Sequence, residues 1–453
     1  MRQEHDSRSC GKQDLIVAKA FYDSELYSEA GMNSTQNPST SPFAPEITRE
    51  VYDANVGWRK RFYSGGELDL NFSAMQIEQS VTTITGFPSK LYDTSWNLRY
   101  TQPLLRSAWW EYGRAEVRRA ESARDASEGQ FEQERQDLLL QVVRAYWDLV
   151  FVRENYRVQF QGLELAQEQL RITLARIAVQ DLAARDRVAD DAEVARRKEG
   201  LIVAENEIRK GEDELRALLF QDQDAMWNTG LRPTSAIASD MDVSKLDWQA
   251  AASVAMTSRP DLHRLRANAK MVDQRLVQAQ SELQPRLDMV GSYNSGATRD
   301  DNMPDSWGDS FGVEYPDWSL RLVFAYPLGN RAAQARLTRA MLDAEAAKGQ
   351  IYAHKVQVRK QVRDAVRSIQ TLAESIRAAR ESVRLGDNDL DTARHKLRVG
   401  TLTFFDVQQR NQELQEARSR LLRNQLDFRI AEAVLEHSQG LLFRSQAGGK
   451  PEK

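Results

Sequence analysis

The chain has 453 residues, of which 41% are hydrophobic and 28% charged, and its 62 basic and 66 acidic side chains are interspersed and leave a net charge of −4. That balance suits long solvated helices that bury only a narrow stripe, and nothing in it resembles a nucleic-acid footprint. No segment offers the roughly 18 uncharged apolar residues of a transmembrane helix, so any membrane crossing falls to β-strands.

Met1-Arg2-Gln3-Glu4-His5-Asp6 is not followed by an apolar run, so no signal peptide is present in the chain as given. Either the protein is cytoplasmic or its true start is missing. Cys10 is the only cysteine, which excludes an intrachain disulfide, and the polar Asp6-Ser7-Arg8-Ser9 before it argues against lipidation. The five histidines are scattered without metal-ligand spacing.

Period-two runs come next. Glu67-Leu68-Asp69-Leu70-Asn71-Phe72 follows the turn Ser64-Gly65-Gly66, and Trp96-Asn97-Leu98-Arg99-Tyr100-Thr101 leads into Gln102-Pro103. Both read as strands. Arg286-Leu287-Asp288-Met289-Val290 and Ser319-Leu320-Arg321-Leu322-Val323-Phe324 repeat the pattern, the latter ahead of Tyr326-Pro327. Aromatics crowd these stretches, among them Tyr22, Trp58, Tyr63, Tyr293, Trp307 and Trp318. They fit either the girdles of a transmembrane barrel or an ordinary sheet core.

Each strand region precedes a long helix. In Leu138, Val142, Ala145, Leu149, Val152 and onward to Ile177, apolar or small residues alternate at spacings of four and three. A break at Val179–Ala183 and Asp186 follows, and the stripe resumes through Val194, Leu201, Ala204, Ile208 and Leu215. Residues 222–258 have a mixed, linker-like pattern with Gly230 and Pro233, after which Arg259-Pro260-Asp261-Leu262 opens a helix that Pro285 stops. The second stripe runs from Val358 through Val362, Ala365, Ile369 and Leu390 to Leu397, breaks at Val399-Gly400-Thr401-Leu402-Thr403, and resumes through Leu414, Ala417, Phe428 and Leu435. The two stripes keep one register: Gln361-Val362-Arg363-Asp364-Ala365 lies 220 residues after Gln141-Val142-Val143-Arg144-Ala145. The chain is therefore a duplicated antiparallel helical hairpin. Gly400 suits a turn residue needing positive φ, and Gln180 takes that place in the first half. The proline-free run from Ala332 to Arg398 gives a helix roughly 100 Å long. Heptads alone favour a coiled-coil rod. The strands shift the balance, because a few strands per chain cannot close a barrel and lipid forbids an open edge, so several chains must share one.

Gln102-Pro103-Leu104-Leu105-Arg106, Arg259-Pro260-Asp261-Leu262, Leu283-Gln284-Pro285-Arg286-Leu287 and Val399-Gly400-Thr401 with Asp406-Val407 together resemble the TolC family of outer-membrane efflux proteins, from about Leu15 to Phe443. The resemblance implies a mainly α fold with transmembrane β: two long antiparallel α-hairpins in a helical barrel, plus four or so strands per protomer in a shared trimeric β-barrel. It divides the chain into an N-terminal helix remnant (1–20), a first β-unit (21–102), a first α-hairpin (103–221), an equatorial linker (222–258), a helix leading onward (259–284), a second β-unit (285–328), a second α-hairpin (329–443) and a disordered tail (444–453). Family members usually begin with a signal peptide and a helix; only Asp14–Ala20 remains of that helix here, which fits a truncated or misassigned start. The stretch from Tyr52 to Gln79 is long for one loop, and reads as an extra hairpin or a strand extension.

The implied function is a passive exit duct of a tripartite efflux pump or type I secretion system: a homotrimer in outer-membrane lipid with periplasmic helices, working with a periplasmic adaptor (membrane fusion) protein and an inner-membrane RND or ABC transporter. Val179, Gln180 and Asp181 with Val399, Gly400 and Thr401 would form the periplasmic tips. Asp387 and Asp391 would line the pore constriction, unless Arg384 and Arg394 pair with them on a solvated face. The alternative is a coiled-coil scaffold without a pore. No paired nucleophile and base, phosphate loop or metal cluster stands out, so no enzyme activity and no cofactor are expected.

Overall fold

Residues 2–37, 47–81, 90–180, 182–220, 227–235, 237, 242–300, 302–311, 316–399 and 401–442 are described by a computed structural model. The chain gathers into two units, residues 1–131 with 263–351 and residues 132–262 with 352–453. The elements in order are α1 (Arg2–Ala20), β1 (Ser24–Asn37), β2 (Ile47–Arg61), β3 (Glu67–Val81), β4 (Lys90–Pro103), α2 (Trp109–Ala178), α3 (Arg187–Leu219), α4 (Trp248–Ser258), α5 (Pro260–Glu282), β5 (Arg286–Arg299), α6 (Met303–Phe311), β6 (Pro316–Ala325), α7 (Arg331–Arg398) and α8 (Phe404–Gln439). The opening helix thus starts at Arg2, well before the Asp14–Ala20 remnant read from sequence. The expected tail at 444–453 lies outside the described residues.

The first unit is built on a sheet. Among the described residues it has six strands, each antiparallel to the next in the order β1-β2-β3-β4-β5-β6. Sequence reading expected about four. The two strands not read from the sequence are β1 and β2, and the stretch from Tyr52 to Gln79 lies within the β2–β3 hairpin. The register explains the alternation. Leu26 faces Trp58, Trp58 faces Leu70, Leu70 faces Leu98, Leu98 faces Tyr293, and Tyr293 faces Trp318. With a period of two, these residues and Val56, Phe72, Trp96, Tyr100, Leu320, Leu322 and Phe324 share one face. The opposite face carries Tyr27, Arg59, Asp69, Asn71, Arg99, Ser292 and Arg321.

The polar face is cross-linked. Tyr27 donates to Asp69 Oδ1 at 3.1 Å, Arg59 Nε donates to Asp69 Oδ2 at 3.1 Å, and Asn71 Nδ2 donates to the Tyr27 hydroxyl at 3.3 Å. Arg61 Nε reaches Glu67 at 3.0 Å. The Tyr27 ring lies where a Cβ at Gly57 would stand, which is why that strand position lacks a side chain.

A helix unforeseen in the sequence, α6, covers part of the apolar face. Its Ser306 hydroxyl is 2.8 Å from that of Thr94 and donates to the Ala297 carbonyl at 2.8 Å. The Ser310 carbonyl accepts from Trp96 Nε1 at 3.1 Å and from the Ser295 hydroxyl at 2.9 Å. Thr94, Ser295, Ser306 and Ser310 are all buried, and each has a partner.

The β2–β3 turn is seated on the start of α2. Trp109 donates its backbone N–H to the Ser64 carbonyl at 3.2 Å, and Gln102 Nε2 donates to the same oxygen at 3.0 Å. Gly65 takes φ 84° against the Ser107 carbonyl. Tyr22 donates to the Gly113 carbonyl, and the Tyr63 carbonyl fills the space a Cβ would need at Gly113.

In the second unit the heptad stripes form the seams. Val358, Val362, Ala365 and Ile369 of α7 pack on Phe428, Ala431 and Leu435 of α8, and Ala145 and Leu149 of α2 pack on Leu215 of α3. Trp147 and Val150 of α2 meet Leu426 of α8. Part of the expected linker is helical: α4, capped by Asp247, lays Ala251, Ala252 and Ala255 on the α7–α8 seam. Gly440 ends α8 with φ 75°, and Leu441 donates back to the Glu436 carbonyl at 2.9 Å.

The Arg259-Pro260-Asp261-Leu262 motif is a buried ionic knot at the start of α5. Arg259 forks onto Asp261 and also donates to Gln361 Oε1 at 2.7 Å and to the Ser438 carbonyl at 3.2 Å. Asp261 accepts the Leu262 N–H at 2.7 Å and lies 2.8 Å from His354 Nε2. Burial pushes the Asp261 carboxyl up, but the hydrogen bonds and charge of Arg259, then those of His354, prevail and hold it down to about 2.

Two outcomes follow from these packings. Gly113→Ala should destabilise the protein by about 1–3 kcal/mol through overpacking against Tyr63, read as a lower denaturation midpoint; an unchanged midpoint would mean that the turn does not sit on α2. Asp261→Asn should cost about 3 kcal/mol or more by leaving Arg259 buried without its counter-charge. Because the folded value of Asp261 lies below the ordinary 3.8, its stabilisation is complete above about pH 4 and is lost as pH falls toward 2. A melting series over that range should show a pH-dependent loss that Asp261→Asn reduces.

Candidate functional site

Two regions carry functional potential: the hairpin tips and the open face of the sheet. At the first tip, α2 ends where Gln180 donates its N–H to the Ile177 carbonyl at 3.0 Å and adopts φ 63°. This is the left-handed region, so the turn has the conformation expected of a glycine but is made by glutamine. Asp181 lies outside the described residues. At the second tip, Val399 donates to the His395 carbonyl at 3.3 Å, and both the N–H and the hydroxyl of Thr401 reach the Lys396 carbonyl at 3.0 Å. Gly400 also lies outside the described residues. Val179 and Val399 are about three-quarters exposed, which gives each tip a bare apolar residue.

The segment after the second turn is capped. Asp406 Oδ2 accepts the Thr403 N–H at 2.9 Å, and the Thr403 hydroxyl accepts the Asp406 N–H at 3.3 Å. The hydrogen bonds from the Thr403 side chain and backbone hold the Asp406 carboxyl below its ordinary range. This is the role of Asp406, three residues after the second break.

Asp387 and Asp391 are not brought together by any contact. Asp387 accepts from Arg418 of α8 at 2.7 Å, and Asp391 lies 3.6 Å from Arg394. Arg384 pairs with Glu381 instead, lowering that carboxyl. Asp391 is the freer of the two carboxylates, its side chain 73% exposed against 47% for Asp387. Leu390 between them is buried and lines a cavity of about 260 Å³ with Leu165, Ile172, Arg197, Val407 and Asn411. Sequence reading did not foresee the cavity, which needs the packing of both hairpins.

On the sheet the apolar face is uncovered over most of its extent. Leu26 is 76% and Trp318 72% exposed. The outer edges of β1 and β6 have no neighbouring strand among the described residues. A broad apolar face backed by a polar one, with two open edges, is unstable in water and disallowed in lipid unless the edges are closed.

A family model described as outer membrane efflux protein matches residues 251–441. The chain is also 24% identical over 356 residues to the outer membrane protein TolC of Vibrio cholerae serotype O1, covering 76% of each protein. In structure it is similar to the CmeC outer membrane channel of Campylobacter jejuni (TM-score 0.68, 14% identity, 97% of this chain and 82% of that one) and to the outer membrane protein VceC of Vibrio cholerae (TM-score 0.67, 17% identity, 97% and 92%). The fold, long helical hairpins with an antiparallel sheet, is that of these outer membrane proteins.

The first hairpin tolerates a non-glycine at its tip at the cost of strain. Gln180→Val should raise that strain by about 1–2 kcal/mol, whereas Gln180→Gly should relieve it. Amide hydrogen exchange near Ile177 should be faster in the first variant and slower in the second. Equal rates in both would show that the turn does not hold Gln180 at positive φ.

Proposed function

We propose that the protein is the outer-membrane exit duct of an efflux pump or type I secretion system, assembled as a homotrimer that exports its cargo passively. The observation that carries this is the sheet: an exposed apolar face, a charged and hydroxylated opposite face and two unpaired edges, on a chain whose remainder is two long coiled-coil hairpins. A scaffold rod needs none of these. Its location would be the outer membrane, with the helices in the periplasm. The tips around Val179–Gln180 and Val399–Thr401 would dock a periplasmic adaptor, itself joined to an inner-membrane RND or ABC transporter. Exposed valines flanked by charged helix ends suit a contact made in water and broken again.

Within this duct Asp391 is the better candidate for the constriction. In a trimer it would recur three times about the axis, and a carboxylate ring favours cations. Arg394 beside it does not silence it, since exposed pairs contribute only about 0–1 kcal/mol. Asp387 is engaged by Arg418 and would act chiefly in holding α7 to α8.

Deleting the gene should cause loss of export of the pump's cargo, restored by the parent protein. In a planar bilayer, Asp391→Asn should lower cation selectivity and weaken block by divalent cations at the periplasmic side. Conductance, selectivity and block identical to the parent would place Asp391 outside the pore.

A further inference from the structure

We infer that each chain supplies six strands to the membrane wall, so that three copies close an eighteen-stranded barrel, with β6 of one copy pairing antiparallel to β1 of the next. This rests on the outer-membrane channel reading and departs from the four strands per chain, twelve in a trimer, that the family resemblance implies.

The added hairpin has the composition of wall. On β2, Ala54, Val56 and Trp58 share the apolar face, while Asn55, Gly57 and Arg59 take the polar one; on β3, Leu68, Leu70, Phe72 and Ala74 alternate with Asp69, Asn71 and Ser73. A hairpin projecting into water would not need this period, in phase with both neighbours. Nor can it swing aside. β2 is paired to β1 from Ser24↔Lys60 to Asn37↔Ile47, and β3 to β4 from Glu67↔Thr101 to Glu78↔Lys90. Leaving the wall would unpair both ladders. Its turn is pinned where Trp109 and Gln102 bond the Ser64 carbonyl.

The edges fit one another. Six antiparallel strands leave β1 and β6 running in opposite directions, so a β6–β1 seam between copies continues the alternation and the ring closes with an even number. Both edges expose their side chains nearly throughout. Barrel diameter grows roughly linearly with strand number, so eighteen strands give a lumen about 1.5 times as wide as twelve, in the class that leaves an aqueous channel. The lumen wall would carry the Tyr27–Arg59–Asp69–Asn71 network.

The test uses the full-length trimer in lipid nanodiscs in a Cys10→Ser background, which removes the only native thiol. Single variants Val56→Cys, Leu70→Cys, Asn55→Cys and Asn71→Cys are exposed to a membrane-impermeant maleimide. The polar-face pair should label about tenfold faster than the apolar-face pair, because only the lumen admits water. In the same particles, Ser319→Cys on β6 combined with cysteine at Glu25, Tyr27 or Glu29 on β1 should oxidise to covalently linked dimers and trimers. A trimer inserted in lipid that labels all four sites equally, or whose β1–β6 pairs never cross-link between copies, overturns the eighteen-stranded wall but leaves the channel reading standing. Failure to form a trimer or enter lipid overturns both.

Discussion

A strand in hydrocarbon must have every backbone N–H and C=O paired, because an unpaired one costs several kcal/mol with no water to repair it. Among the described residues the ladders between β1 and β6 run through most of each strand, and the longest unpaired stretches are the outer edges of β1 and β6. The apolar face of the sheet, Leu26 to Trp318 across six strands, is too large to stay bare in water. In the proposed assembly, copies of the same chain supply what the edges lack, and the requirement is set by the strands and not by the helical hairpins.

The helices obey a gentler rule. A 70-residue α2 and a 68-residue α7 are held along their length by a seam of small and branched residues, not by intrinsic propensity. Glycine brings the seam closer where it is tightest: a Cβ at Gly211 or Gly386 would meet Leu149 or Leu414 at 3.4 and 3.3 Å. The many Arg–Glu pairs at i,i+3 add little to stability but keep the outer surface solvated. Ionic energy is concentrated instead in Arg259 and Asp261. There two buried charges fix the entry to α5 and tie it through Gln361 to α7 and through the Ser438 carbonyl to α8.

Much of this was legible in the sequence. The stripe positions read at four-three spacing, Ala145, Leu149, Val194 and Leu215 in one half, Val358, Val362, Ile369 and Leu435 in the other, are the buried residues of the seams. Four alternating runs fall on β3, β4, β5 and β6. What escaped had a physical reason. β1 is rich in Ser, Asn and Glu and β2 contains Arg, Lys and Asp, because one side of each faces polar groups; their period is hidden until register supplies the partners. In α6 the buried residues facing the sheet, Ser306 and Ser310, are polar, and at nine residues the helix is too short for its Met303, Trp307, Phe311 spacing to stand out. Gln180 in a left-handed turn carries no signal of its own; only its register with Gly400 suggested the conformation. Asp387 and Asp391 fall on one helix face, yet Arg418 comes from 31 residues away, and sequence alone does not say which carboxylate it will take.

The extra hairpin also shows how a wall of this kind can change size without rebuilding what it is attached to. Antiparallel strands are added in pairs, since a hairpin returns the chain to the side it left. β1 still begins after α1, and β4 still delivers the chain through Pro103 to the junction with α2. β5 and β6 keep their places beside β4. Of the two connections added, residues 62–66 form one, with Gly65 at positive φ, a carbonyl for Gln102 and Trp109, and a glycine in α2 that makes room for Tyr63. Strand number is therefore a variable that the sheet can alter locally, whereas the heptad register of the hairpins, once set, binds every residue along the seam.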